Sequence, residues 1–498
     1  MDAVLSVDQG TTNTKALLVD AAGVVVARGS APVGVTFPRP GWVEQDAAEI
    51  WRSVRSAVRD CLDAAGGLAP VAVAVSNQRE SVVAWERATG KPIGPVLSWQ
   101  DARAADRCDR LARTGLGDVV RRHTGLPLDP MFSAPKMAWL LESAGLSGPR
   151  ATERSGVVVG TVDAWLVWNL TGGAVFACEA GNASRTLLFD LAALDWREDL
   201  LDAFGVPRTV LPEIRASDAG FGVTADLGFL PAGRPVAAVL ADSHAALYQQ
   251  GCRLPGTGKA TYGTGSSVMA PVARPDDPRA GIATTLAWLT DAPTYAREGN
   301  IIASGAALAW MAQSLGLSGA ADLEQVAKAA DDTGGVHFVP AFSGLGAPYW
   351  DRSATGLLTG LTGGTDRAHL ALAALEGVAH QVADVVEAIE TGTEAAVEVL
   401  HADGAATGSG RLMQIQADLL GRPLRVADAP DASALGVATL ARQALGLTGD
   451  GVPEATGGAL VEPLMAAGVR ASRRAGWAAA VARSRGAVVP PGPATAGD

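Results

Sequence analysis

A chain of 498 residues is about twice the size at which one hydrophobic core stops growing, so two large domains are expected. Hydrophobic residues make up 48% and aromatics only 5%, a small-side-chain globular composition that excludes a disordered or fibrous chain. The net charge of −12 excludes a general nucleic-acid binder, which needs a basic face to displace counterions, so any anion must be held locally, by backbone amides or a metal.

The N-terminus, MDAVLSVDQGTT, has no basic stretch leading into an apolar run, and no window is apolar enough to span a bilayer. A cytoplasmic chain with no membrane contact is expected. Cys61, Cys108, Cys178 and Cys252 are far apart with no CxxC spacing, which reads as buried free thiols rather than a zinc site or a disulfide framework.

In chain order, Ala3 to Val7 is a short apolar strand stopped by Asp8-Gln9-Gly10, with Thr14–Asp20 as its hairpin partner and Gly23–Arg28 as a third strand. A helix is expected from about Asp46 to Ala64, since Ile50, Val54, Ala57, Val58 and Cys61 recur at helical spacing. Val71–Val75 reads as a buried strand ending at Ser76-Asn77-Gln78-Arg79-Glu80, and Val82–Trp85 as an edge-like strand. The alternation continues to Val236–Leu240, an α/β pattern. The plan then restarts. Lys259–Tyr262 and Val268–Pro271 flank Gly263-Thr264-Gly265-Ser266-Ser267 as the first two strands flank Gln9–Thr14, a weak internal repeat. Helices are expected at about Ile302–Leu315, Asp366–Thr391, Gly408–Leu420 and Ser433–Leu445, with a strand at Ala396–Leu400 and a loose tail over Ser484–Asp498. A boundary near Gly251–Gly258 gives domains 1–251 and 252–450, followed by 451–498 as a C-terminal helix and tail. The cleft between the halves is the default ligand site.

Four stretches carry chemistry. In Asp8-Gln9-Gly10-Thr11-Thr12-Asn13-Thr14-Lys15 a strand ends on an acid and a turn of small hydroxyl residues follows. Such a turn presents backbone amides to an anion, Asp8 can hold Mg²⁺ through water, and Lys15 adds a cation for outer phosphates. An ordinary hairpin explains this turn as well, but the second turn at Gly263–Ser267 favours a nucleotide triphosphate gripped from both sides. No GxxxxGK[ST] P-loop, dinucleotide GxGxxG or HExxH occurs. Arg79-Glu80 offers a donor fork and an acceptor for neighbouring hydroxyls of a polyol, or else a surface ion pair. Trp99 supplies an aromatic wall or belongs to the core. Asp242, between an apolar strand and a helix, can take a proton from an attacking hydroxyl and face a metal, as phosphoryl transfer requires. It can equally be a helix N-cap. Ser243 and His244 beside it do not make a hydrolytic triad, because consecutive residues point in different directions.

These residues resemble the FGGY carbohydrate kinases, and within them the glycerol kinases, over about Ala3 to Leu447. The resemblance is carried by Val7–Thr12, Pro40–Asp46, Asn77–Glu80, Gly160–Leu166, Asn182–Thr186, Tyr262–Gly265 and Val339–Asp351. It implies two actin-like, ribonuclease H-like α/β domains around a cleft holding ATP and Mg²⁺. It makes Asp242 the catalytic base, with Asp8 and Asp242 by the metal. It makes Thr11, Thr12, Asn13, Lys15 and Thr264 phosphate contacts, and Gly305, Ala309, Ala405 and Ser409 nucleotide contacts. Arg79, Glu80, Trp99, Met131, Ser243 and Asp242 become the substrate site. Met131 replaces a tyrosine, Ser243 a glutamine and Ser267 an aromatic, so three pocket walls differ from those of glycerol kinases. Ala309, Ser409 and Ala405 replace two amides and a glycine. The expected partner is a small polyol or sugar: glycerol first, a tetritol, pentitol or ketopentose second. A homo-oligomer is left open, and an actin-like ATPase acting as a chaperone or filament subunit is the rival from another class.

Overall fold

The computed structural model describes residues 2–146, 148, 155–275, 281–393, 396–427, 431–448 and 457–486. The first main sheet is built from β1 (Ala3–Gln9), β2 (Asn13–Asp20), β3 (Val25–Pro32), β4 (Ala72–Asn77) and β5 (Val236–Ala241), in the order β5-β4-β1-β2-β3. β1 runs antiparallel to β2 and parallel to β4, and β5 is parallel to β4. The parallel strands are buried along almost their whole length, which is why they read as continuous apolar runs.

The second sheet contains β6 (Thr257–Tyr262), β7 (Ser266–Val272), β8 (Ala283–Leu289), β9 (Pro293–Ile301), β10 (Val399–Asp403), β11 (Leu424–Ala427) and β12 (Gly458–Val461), in the order β8-β9-β7-β6-β10-β11-β12. Five of these strands, β9-β7-β6-β10-β11, reproduce the order and relative directions of β3-β2-β1-β4-β5. The repeat suspected from two glycine-rich turns therefore extends over a whole five-stranded unit.

Helix α1 (Ala47–Ala64) lies on β2 and β3, with Asp46 as its N-cap accepting from the amides of Ala48 and Glu49. The second half carries α3 (Gly305–Ser314), α4 (Arg367–Glu390) and α5 (Gly410–Leu420). Two further helices lie between the halves. α2 (Asp242–Gln249) follows β5, and α6 (Ala432–Ala444) follows β11 at the equivalent place. They pack on each other so closely that a Cβ at Gly436 would stand 1.9 Å from the Ala245 carbonyl oxygen. α6 rests on β1, β4 and β5 of the first sheet. One hydrophobic cluster joins Val4, Ala72 and Leu240 to Met269, Ala296 and Val437. The two halves thus share a core.

Three expectations change. The strand expected at Ala396–Leu400 is β10, Val399–Asp403, because its parallel pairing with β6 runs from Val399 opposite Thr257 to Asp403 opposite Thr261. Val82–Trp85 is not at an edge. It extends to Glu86 and lies inside a four-stranded sheet between Val96–Leu97 and Val157–Thr161, fully buried up to Trp85. Ser484 ends α7 (Ala467–Ser484), and most of the expected tail, 487–498, lies outside the described residues. All four cysteines are buried and free. Among the described residues no helix is long and apolar enough to cross a membrane.

Candidate active site

The three parallel strands of the first sheet end side by side. In register, Asp8 lies opposite Ser76, Gln9 opposite Asn77, and Ala241 opposite Asn77. Asp8, the Asn77–Glu80 run and Asp242 are therefore delivered to one sheet edge, where open α/β sheets bind ligands. Asp242 is the first residue of α2 and not its N-cap, a place taken by Ala241. Among the described residues its one hydrogen bond is at Oδ1, from the neighbouring Ser243 amide at 2.6 Å, so the carboxylate keeps an open side and is 34% exposed.

Arg79 and Glu80 are not a surface pair. Both are buried, and Glu80 adopts a positive φ of 59°, a backbone strain that functional sites tolerate when the surroundings enforce it. The surroundings here are a ring of charges. Arg79 donates from Nη1 and Nη2 to the two carboxylate oxygens of Glu298 at 2.7 and 2.6 Å. Its Nε faces Asp242 Oδ1 at 3.5 Å and Glu80 Oε1 at 3.9 Å. Arg185, fully buried, donates from Nε to Glu80 Oε1 at 2.6 Å and places Nη1 3.0 Å from Glu298 Oε2. Burial alone raises a carboxyl pKa, yet at Glu298 the Arg185 and Arg79 guanidinium groups outweigh it and hold the acid well below the usual carboxylate range. Asp242 is raised by burial, against the pull of Arg79.

Asp8 Oδ1 is buried without a hydrogen-bond partner among the described residues. Burial, and next the nearby Asp242 charge, push its pKa up to about 6. Lys15 does not stand free, since its Nζ contacts Asp431 Oδ1 at 2.6 Å, at the start of α6. Thr11 and Asn13 are half-buried and Thr12 is exposed. Trp99 is neither core nor isolated; it is 36% exposed and its Nε1 donates to Thr11 Oγ1 at 3.0 Å, which ties it to the first turn. Behind it, Arg103 is sandwiched between Trp42 and Trp139, paired with Asp101 and Glu44. Met131 lies in a loop held at both ends: its amide donates to Asp129 Oδ1 at 2.9 Å, and its carbonyl accepts from the fully buried Lys136. Asp129 also meets Arg352 of the second half at 2.5 Å.

In the second half the turn at Gly263–Gly265 is cinched to the start of α3. The amides of Ser304 and Ala306 donate to the Thr264 carbonyl, and that of Gly305 to the Gly263 carbonyl. A Cβ at Gly305 would stand 2.6 Å from the Gly263 oxygen, and one at Gly404 would stand 2.5 Å from the Tyr262 oxygen. The Gly404–Ala405 turn thus lies against the start of the second glycine turn, with Thr264, Ala309 and Ala405 exposed nearby on their elements. Ser409 caps α5 by accepting from the Leu412 amide at 3.2 Å. Ser267 donates to Glu298 Oε1 at 3.3 Å, so its hydroxyl supports the charge ring instead of merely opening space. Lys259, in the stretch that superficially resembles a P-loop, is a buried strand residue bonded to Thr261.

Sequence reasoning missed Glu298, gave Arg185 no role, and overlooked Lys136 and Asp431. The available signal was the adjacent charges Arg297-Glu298 between Ala296 and Gly299 in a strand, which a buried strand admits only if they are paired.

Comparison with known proteins fits this geometry. Residues 3–248 match the N-terminal domain of the FGGY family of carbohydrate kinases, and residues 258–445 match its C-terminal domain. A glycerol kinase of Alkalilimnicola ehrlichii is 43% identical over 492 residues, 98% of this chain and 99% of that protein. An apulose kinase of Pectobacterium atrosepticum is 45% identical over 445 residues, covering 89% and 90%. The crystal structure of Plasmodium falciparum glycerol kinase with ADP superposes with a TM-score of 0.90 at 28% identity, covering 97% of this chain and 98% of that one. Two α/β halves built on one repeated five-stranded unit, each with a glycine turn after its first strand, agree with a two-domain carbohydrate kinase. The chain belongs to the FGGY family of carbohydrate kinases, and is an ATP-dependent kinase.

Proposed function

We propose that the chain transfers the γ-phosphoryl group of ATP to a terminal hydroxyl of glycerol, with Asp242 as general base. The observation that carries this reading is the pairing of Asp242, open on one side, with Arg79 Nε at 3.5 Å and the buried Glu80 beside them. A guanidinium edge and a carboxylate select adjacent hydroxyls, and Asp242 accepts the proton of the one that attacks. Trp99, Met131 and Ser243 complete the acceptor pocket. Thr11, Thr12, Asn13 and Lys15 from the first half and Thr264 from the second take the phosphates. Gly305, Ala309, Ala405 and Ser409 border the nucleoside, Ser409 through its backbone, since its hydroxyl caps α5. The work is divided between domains 1–251 and 252–450, with 451–498 appended.

Two carboxylates, Asp8 and Asp242, suit Mg²⁺, which keeps most of its waters and takes the rest of its shell from substrate phosphates. The unpartnered Asp8 Oδ1 supports this fit. When bound, the ion neutralises phosphate charge. The chain's own part is to hold the acceptor in line, to take its proton at Asp242, and to exclude water from the cleft.

The test is coupled detection of ADP with ATP and a panel of polyols and sugars. Glycerol-dependent turnover is expected, and full ATP turnover without any acceptor would refute a kinase in favour of an actin-like ATPase. A second reading, a ketopentose acceptor, is favoured by the small walls at Ser243 and Ser267 and by the 45% identity to an apulose kinase. In that case the same panel shows a ketopentose outpacing glycerol in kcat/KM.

A further inference from the structure

The charge ring has an unequal origin. Arg79, Glu80, Arg185 and Asp242 all come from the first half, whereas Glu298 comes from β9 of the second sheet, where it lies opposite Met269 of β7. Glu298 is fully buried and occupies both Nη atoms of Arg79 at 2.6 and 2.7 Å. What remains of that guanidinium is its Nε edge, the edge turned to Asp242 and Glu80. Without a carboxylate at 298, the two Nη atoms lose the hydrogen-bond partner they have among the described residues. The fork then swings onto Asp242, the nearest other carboxylate, in the two-point geometry guanidinium groups prefer. Such a pair would tie up the oxygens meant for the substrate proton.

We infer that Glu298 is a positioning residue of the acceptor site: by holding both Nη atoms of Arg79 it presents the Nε edge to the acceptor and keeps Asp242 open, so that the second half completes a pocket lined by the first. Ser267, which donates to the same Glu298 oxygen that receives Arg79 Nη2, steadies the arrangement. This inference rests on the polyol-kinase reading and adds to it a residue outside the acceptor pocket.

Steady-state kinetics on the full chain test it. In Glu298→Gln the KM for the acceptor is expected to rise at least tenfold and kcat/KM to fall about a hundredfold, while the KM for ATP stays within twofold. The double variant Arg79→Lys, Glu298→Gln is expected to lose far less than the product of the two single losses, because Glu298 acts on the acceptor mainly through Arg79 and only secondarily through Arg185. Losses that multiply, or an acceptor KM within twofold of wild type, overturn the inference. Should Glu298→Gln fail to fold by circular dichroism, Ser267→Ala supplies the reading. That small change is expected to raise the acceptor KM two- to fivefold with the ATP KM unmoved, and no rise overturns the inference. The wild-type control keeps the two ideas apart. If wild type shows no acceptor-dependent ADP release, the kinase reading fails. If wild type is active but indifferent to these changes, only the positioning role fails.

Discussion

Replacing Gly436 by alanine tests how the two halves are joined. A Cβ there would stand 1.9 Å from the Ala245 carbonyl oxygen, 2.6 Å from its carbon and 3.2 Å from its Cα, where 3.0 Å is the practical minimum. The obstacle is backbone in α2, so no side chain can turn aside, and the two helices must part by about an ångström. Alanine favours a helix over glycine by about 1 kcal/mol. Overpacking a close contact opposes this by about 1–3 kcal/mol, with the upper end apt where backbone must move. The net is a loss of about 2 kcal/mol. For a cooperative unit of about 250 residues this corresponds to a Tm lower by about 4–8 °C. Because α2 begins with Asp242, the same displacement moves the residue proposed as base, and a shift of this size is expected to lower kcat by between about 10- and 100-fold. Differential scanning calorimetry and steady-state kinetics read both effects. A Tm at or above wild type would show that helix propensity wins and that the crossing is looser than described.

Asp242→Asn should keep ATP binding and lose about 10²–10⁴ in kcat, measured by nucleotide titration and turnover; wild-type turnover would remove Asp242 from the base role. Lys136 is buried near Glu80, Asp101 and Asp129, and its pKa is lowered by burial to about 8. Between pH 8 and the unfolded value of 10.5 the unfolded chain therefore binds the extra proton, and wild-type stability rises with pH across that window. Relative to Lys136→Met, wild type should gain about 3 kcal/mol between pH 7.5 and 10.5 in urea denaturation, and parallel profiles would contradict this. Asp431→Asn frees Lys15 from a partly exposed pair, so the KM for ATP should fall about two- to fivefold with the acceptor KM unchanged. A higher ATP KM would show that Asp431 aids the phosphate grip instead of competing with it.

The strands ending at Asp8, Asn77 and Asp242 were legible because each is a run of small apolar residues stopped by a polar one, and helix α1 because its apolar spacing and Asp46 cap are local signals. Both glycine turns were legible for the same reason. Glu298 was not, because its partners Arg79 and Arg185 are 219 and 113 positions away (298 − 79 and 298 − 185), and no local spacing records a contact made by folding. The interior place of Val82–Glu86 was hidden likewise, its neighbours lying at Val96–Leu97 and Val157–Thr161. Asp431 was hidden because its counterpart role appears only once β11 and α6 are seen to repeat β5 and α2.

That repetition places Asp242 and Asp431 at corresponding points, each at the start of the helix that follows the fifth strand of its unit. One copy keeps its acid with an open side, and the other has its acid tied to Lys15. Because Trp99 and Met131 lie in the long insertion between β4 and β5, outside both five-stranded units, side chains there can drift without disturbing either sheet. Relatives about equally similar to this chain can then carry different sugar or polyol names, glycerol in one and apulose in another, on a single chassis.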